Sequence, residues 1–252
     1  MFRRFTAAVL LLSLAGCSAT DKAPSMEIIA GTSLIADIIA DLTDASVSTY
    51  TLLPSAACPS QFDMKAGDIG RLQQAGLIFL HPWQMQLANI RCVLEAANIP
   101  EDRVCIVEVP GNWMVPDVQI EAVKTLASLL TTLHPAEQTA IQQRVETRIN
   151  EINVTTKKAK ALINTAEGVP ILCNEMQAPF LKWTGFNVVE TYARPEDWSV
   201  AETERLVHIG RERKVVLVVD NLQSGGLRMS EILARDIGAA NVVLSNFPNG
   251  LP

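Results

Sequence analysis

The chain has 252 residues, 48% of them hydrophobic and 19% charged, which is enough length and apolar content for two hydrophobic cores. Its formal net charge of -6 disfavours a nucleic-acid partner. No segment beyond the N-terminal leader is long and apolar enough to cross a bilayer.

Met1-Phe2-Arg3-Arg4 is a basic n-region and Ala7–Leu14 a short apolar h-region, the pattern of a signal peptide spanning residues 1–16. It ends in Leu14-Ala15-Gly16-Cys17, which resembles a bacterial lipobox, so Cys17 is the expected lipidated first residue of an exported, membrane-anchored protein. Residues 17–25 read as a polar tether.

The rest reads as repeated strand–helix units. Glu27–Ala30, Val47–Leu53, Leu77–His81 and Val104–Val109 are expected strands of a first lobe, residues 26–133. Between and after them fall expected helices at Leu34–Leu42, Asp68–Ala75, Trp83–Ala97 and Asp117–Leu133. The stretch from Pro135 to Glu167 contains no internal Pro or Gly, and Ile141, Val145, Ile149, Ile152, Ala159 and Ile163 recur at helical spacing. It predicts a helix of roughly 45–50 Å, within a linking segment at 134–167. A second lobe, 168–252, repeats the scheme, with strands at Val169–Leu172, Asn187–Thr191, Val215–Val219 and Asn241–Leu244. The expected fold is therefore α/β: two lobes, each a parallel sheet flanked by helices, joined by one long helix.

Ligands of such sheets bind beyond the carboxyl ends of the strands. That rule nominates the loops at 55–60, 81–83, 110–114, 173–177, 220–224 and 245–249. His81 ends a strand on that side and is read either as a ligand or as a packed imidazole held by Pro82. Glu175 and Asp220 are the nearest acids, although Asp220-Asn221 is also good turn chemistry. Ser224-Gly225-Gly226 could cradle an anion, and Trp83, Trp113, Trp183 and Trp198 are read mainly as packing aromatics. Cys92 on a helix and Cys105 on the following strand are candidates for a disulfide worth about 3 kcal/mol.

Several segments resemble the zinc- and manganese-binding solute-binding lipoproteins of ABC importers. Cys58-Pro59-Ser60-Gln61-Phe62-Asp63, followed by Asp68-Ile69, is similar to that family's Asp-Pro-His-x-Tyr-Glu loop and its Asp-Ile. Gly111-Asn112-Trp113-Met114-Val115-Pro116 resembles His-Val-Trp-Leu-Asp-Pro, and Leu133-His134-Pro135 the Leu-Asp-Pro that opens the linking helix. Ile171-Leu172-Cys173-Asn174, Thr184-Gly185-Phe186, Val219-Asp220-Asn221-Leu222-Gln223-Ser224 and Leu244-Ser245-Asn246 resemble its second-lobe elements.

The resemblance implies a monomeric receptor that delivers a transition-metal ion to an ABC permease and is not an enzyme. It also implies that the usual ligands, histidines and a last acid, are replaced, because Ser60, Gly111 and Asn174 stand at the histidine positions and Asn246 at that of the acid. Ser60, His81, Gly111, Asn112, Asn174, Glu175 and Asn246 are then the expected cleft residues. Cys58 and Cys173, each on a strand-end loop of a different lobe, could grip Zn²⁺ or another thiophilic cation with Asp220. They could equally form an inter-lobe disulfide or be inert thiols. Alternative cargoes are a metal chelate or an organic molecule. A further alternative is an adhesin or scaffold that has lost the site.

Overall fold

The computed structural model describes residues 26–44, 46–194, 198–225 and 227–248. The expected signal peptide, Cys17 and the tether lie outside these residues.

The first lobe contains β1 (Met26–Ala30), α1 (Ser33–Leu42), β2 (Val47–Thr51), α2 (Ala66–Gln74), β3 (Leu77–Leu80), α3 (Ala88–Ala96), β4 (Val104–Ile106) and α4 (Pro116–Leu133). Its sheet has the order β2-β1-β3-β4, and every pairing is parallel. Because side chains alternate across a strand, Ile28 and Phe79 face α1 and α4, while Ile29, Ile78 and Leu80 face α2 and α3. Both faces of β3 are covered, so all four of its residues are buried and its sequence is an unbroken apolar run.

The second lobe contains β5 (Pro170–Asn174), α6 (Ala178–Trp183), β6 (Asn187–Tyr192), α7 (Val200–Glu212), β7 (Leu217–Asn221), α8 (Leu227–Ile237) and β8 (Ala240–Leu244). Its order, β6-β5-β7-β8, repeats the topology of the first lobe, again all parallel. The order reverses beside β1/β3 in one lobe and β5/β7 in the other, which places the two ligand crevices at those strand ends.

Between the lobes runs α5 (Gln138–Ile163), 26 residues or about 39 Å. It starts later than the expected Pro135, because residues 135–137 form a tighter 3₁₀ turn. Ile141, Val145 and Ile152 are buried in the first lobe's core, with Ile149 packed against it. Arg148 reaches Asp37 at 2.6 Å and also pairs with Asp41, tying α5 to α1. Ala159 and Ile163 instead line a cavity of about 570 Å³ bordered by α5, Met114 of the first lobe, and Phe180 and Trp183 of the second.

Several expected elements differ locally, among them the strand read at Val169–Leu172, which runs from Pro170 to Asn174 and takes Cys173 and Asn174 out of their expected loop. The predicted helix Trp83–Ala97 opens as a 3₁₀ turn at Pro82–Gln86, and α3 begins only at Ala88. The fourth strand stops at Ile106. The strand read at Val215–Val219 runs from Leu217 to Asn221, which brings Asp220 into the sheet instead of a turn.

The expected Cys92–Cys105 bridge is overturned, because both thiols are free. Cys105 packs with the core on the α1/α4 side of the sheet, whereas α3 covers the other side and holds Cys92 out at its exposed face. A sheet separates the two.

Candidate cleft between the lobes

Among the described residues, three side-chain hydrogen bonds cross from one lobe's loops to the other's. Asn112 Nδ2 donates to the Met176 carbonyl at 2.7 Å, Gln223 Nε2 to the Ser55 carbonyl at 2.5 Å, and Arg194 to Ser60 Oγ at 3.2 Å. All six residues lie in or beside loops that follow strands, so the strand ends of the two sheets face each other across a narrow cleft. Gly111 has φ +103, a conformation that favours glycine. It turns the chain just before Asn112, whose Oδ1 accepts from Met114 N–H at 2.8 Å while its amide crosses the cleft.

The first lobe's crevice is filled by its own side chains. His81 is 4% exposed, and its Nε2 lies 2.9 Å from Thr32 Oγ1, at the end of β1. Trp83 stacks on the ring at 5.4 Å and Trp113 meets it edge-on at 4.5 Å. Gln84 accepts from the His81 N–H and donates to the Gly31 carbonyl, closing the turn. Burial lowers the imidazole pKa to about 4, so His81 is neutral at physiological pH. Of its two expected roles, the packed imidazole is the one present.

The second lobe's crevice is lined by carboxamides. Gln177 Nε2 donates to Asn246 Oδ1 at 3.0 Å and is 3.3 Å from Asn221 Oδ1. Gln223 Nε2 also reaches Ser245 Oγ, and its Oε1 accepts from the Asn246 N–H. Asn174 Oδ1 accepts from the Met176 N–H at 3.0 Å. Asp220, fully buried, accepts through Oδ1 from the Asn221 N–H at 2.7 Å and from Ser224 Oγ at 3.2 Å. Three buried polar atoms in this wall have no partner among the described residues: Asn174 Nδ2, Gln177 Oε1 and Asp220 Oδ2.

The expected thiolate pair is not assembled. Cys173 is fully buried among Ile171, Ala178, Leu181 and Val219, on the α6 side of the sheet. Loss of hydration there pushes its thiol pKa up to about 12, so it is a small apolar core residue. Cys58 is half-buried in its loop, with Sγ 3.4 Å from Ser60 Oγ. Glu175 is exposed. Among the described residues, no three His, Cys, Asp or Glu side chains converge in a metal-holding group.

Sequence reasoning selected Asn112, Asn174, Asp220 and Asn246 but passed over Gln177, Asn221, Gln223 and Thr32. The available signal was a density of Asn and Gln in the nominated loops at 173–177 and 220–224. Carboxamides are common in turns, so that density does not separate ligand recognition from turn chemistry.

Two parallel lobes of identical strand order, hung on one helix and meeting at their strand ends, define a two-lobed α/β protein with a cleft between its lobes. The chain belongs to the family described as zinc-uptake complex component A, periplasmic, whose model matches residues 28–250. No curated protein matches the sequence. Among solved structures, the fold is similar to a crystal structure of ZnuA, with TM-score 0.76 and 15% identity over 89% of this chain and 92% of that one. It is also similar to the manganese-bound periplasmic metal-binding protein from Candidatus Liberibacter asiaticus, with TM-score 0.73 and 14% identity over 89% and 91%. A cadmium-bound form of that protein matches with TM-score 0.71 and 14% identity over 87% and 88%.

Proposed function

We propose that this protein is the exported, lipid-anchored receptor of an ABC importer, capturing a transition-metal cargo in the cleft between its lobes. The observation that carries the reading is the family match across both lobes, on a chain whose two sets of strand ends face each other. Cargo held between them would shift the equilibrium toward the closed form that docks on the permease. The cleft's own donors are mostly oxygens: Asp220 Oδ2, Gln177 Oε1 and Asn246 Oδ1 from the second lobe. Cys58 is the thiol on the facing wall, and Cys173 drops out of the set.

A second reading, that the cargo is an organic molecule or a metal already held in a chelate, is favoured by the carboxamide wall. Such a wall supplies both donors and acceptors and few charges. Titration of the anaerobic soluble form lacking Cys17 with Zn²⁺ and Mn²⁺ tests the first reading. One-to-one uptake with a more compact scattering profile is expected. No uptake of either ion would overturn bare-ion capture.

A further inference from the structure

Asn174 and Asp220 stand beside each other at the point where the second lobe's strand order reverses. The β5–β7 register pairs Leu172 with Val218 and Cys173 with Val219, so Asn174 and Asp220 are the next neighbours along it. Leu172 and Val218 share one core cluster, and side chains two positions further along each strand return to that same face. Neighbouring strands are about 4.8 Å apart. Both residues are almost wholly buried, at 1% and 0% exposure.

Their orientations are fixed by the bonds they already make. Asn174 spends its oxygen on the Met176 N–H, which leaves the amide nitrogen, a donor, unpaired. Asp220 spends Oδ1 on Asn221 and Ser224, which leaves Oδ2, an acceptor, unpaired. A donor and an acceptor one strand apart are complemented by a single group that accepts one hydrogen bond and donates another. A hydroxyl does both. A bare metal ion would meet Asp220 Oδ2 but be faced by the N–H groups of Asn174. The corresponding crevice of the first lobe is closed instead, because Thr32 and His81 satisfy each other there.

We propose that the Asn174–Asp220 pair anchors a hydroxyl group of a small polyhydroxylated ligand, taken up either free or as the carrier of a metal ion. This rests on the reading of the cleft as the capture site. Entry requires the Asn112–Met176 and Gln223–Ser55 bonds across the cleft to open.

The test is calorimetric titration of the soluble chain with myo-inositol, D-mannitol and D-glucose, each alone and each with Zn²⁺, beside Zn²⁺ alone. Binding of at least one polyol is expected, weakened ten-fold or more by Asn174→Asp and by Asp220→Asn in variants that keep their melting transition. Binding only with Zn²⁺ present would identify the chelate as the source; binding without it, the free polyol. No response to any polyol, with or without zinc, would overturn the proposal on the unmodified protein and leave an internal water as the bridging group. Polyol binding unchanged in both variants would overturn the assignment to this pair. Tight uptake of Zn²⁺ alone with no polyol effect would sink this inference and spare the metal receptor. Polyol binding without any metal uptake would do the reverse.

Discussion

The Nε2 atom of His81 and the hydroxyl of Thr32 lie 2.9 Å apart at the strand ends of the first lobe, closing the crevice where its strand order reverses. Thr32 is fully buried, so the bond has no competing water. Thr32→Val keeps the shape and leaves a buried imidazole nitrogen unpaired. A loss of about 1–3 kcal/mol in urea unfolding is expected. An unchanged midpoint would show that the pair adds nothing.

The same histidine sets a pH dependence. Its pKa is about 4 in the folded protein against 6.5 ordinarily, because burial disfavours the charged ring. The unfolded chain therefore binds the extra proton first as pH falls. The contribution, roughly 3 kcal/mol, is complete above about pH 6.5 and is lost as pH drops toward 4. In His81→Phe, the fall in stability between pH 6.5 and 4 should be shallower than in the unaltered protein. Parallel curves for the two proteins would contradict it.

Thiol chemistry distinguishes the cysteines. Cys92 is exposed and Cys58 half-buried, whereas Cys173 is fully buried with its thiol pushed up to about 12. Ellman's reagent should label Cys92 and Cys58 in the native protein, and Cys173 only after unfolding. Rapid native labelling of Cys173 would place it on the cleft side after all.

Arg148 is the tie between α5 and α1. Its two acidic partners are each 43% exposed, so solvent screens much of the attraction. Arg148→Met should cost about 0.5–1 kcal/mol, and the loss should shrink when Asp41→Asn relieves the leftover negative pair. A full-sized loss in the double variant would point to packing of the arginine stem instead.

Closure of the cleft rests on few bonds. Asn112→Ala with Gln223→Ala removes two of the three cross-lobe hydrogen bonds described above, each worth about 1 kcal/mol. The open population should rise by about 5–30-fold, read as a larger radius of gyration in scattering. An unaltered profile would mean that other contacts hold the lobes together.

Much of the architecture was legible from the chain because it depends on periodic burial. The apolar run Leu77–Leu80 and the spacing of Ile141, Val145 and Ile152 mark a doubly covered strand and a one-sided helix, and both occur as expected. The site was harder to read, since it depends on which face of a strand a residue takes. A shift of two residues in the start of β7 moves Asp220 from a turn into the sheet. Alternation along β5 turns Cys173 toward α6 and Asn174, equally buried, to the opposite face. The Cys92–Cys105 expectation failed for the same reason, as nearness in sequence cannot say which side of the sheet a thiol occupies.

Every buried side chain of α5 lies at or before Ile152, so the 11 residues from 153 to 163 are embedded in neither core, and Thr155, Thr156, Ala159, Leu162 and Ile163 among them line the cavity. That half is a cantilever about 16 Å long, clamped at one end by the first lobe and loaded at the other by the second. In the proposed capture cycle, a swing of the second lobe would then bend three helical turns as well as turn loop torsions. Filling the space at Ala159 with a larger side chain would brace the beam and slow the swing without touching the cleft.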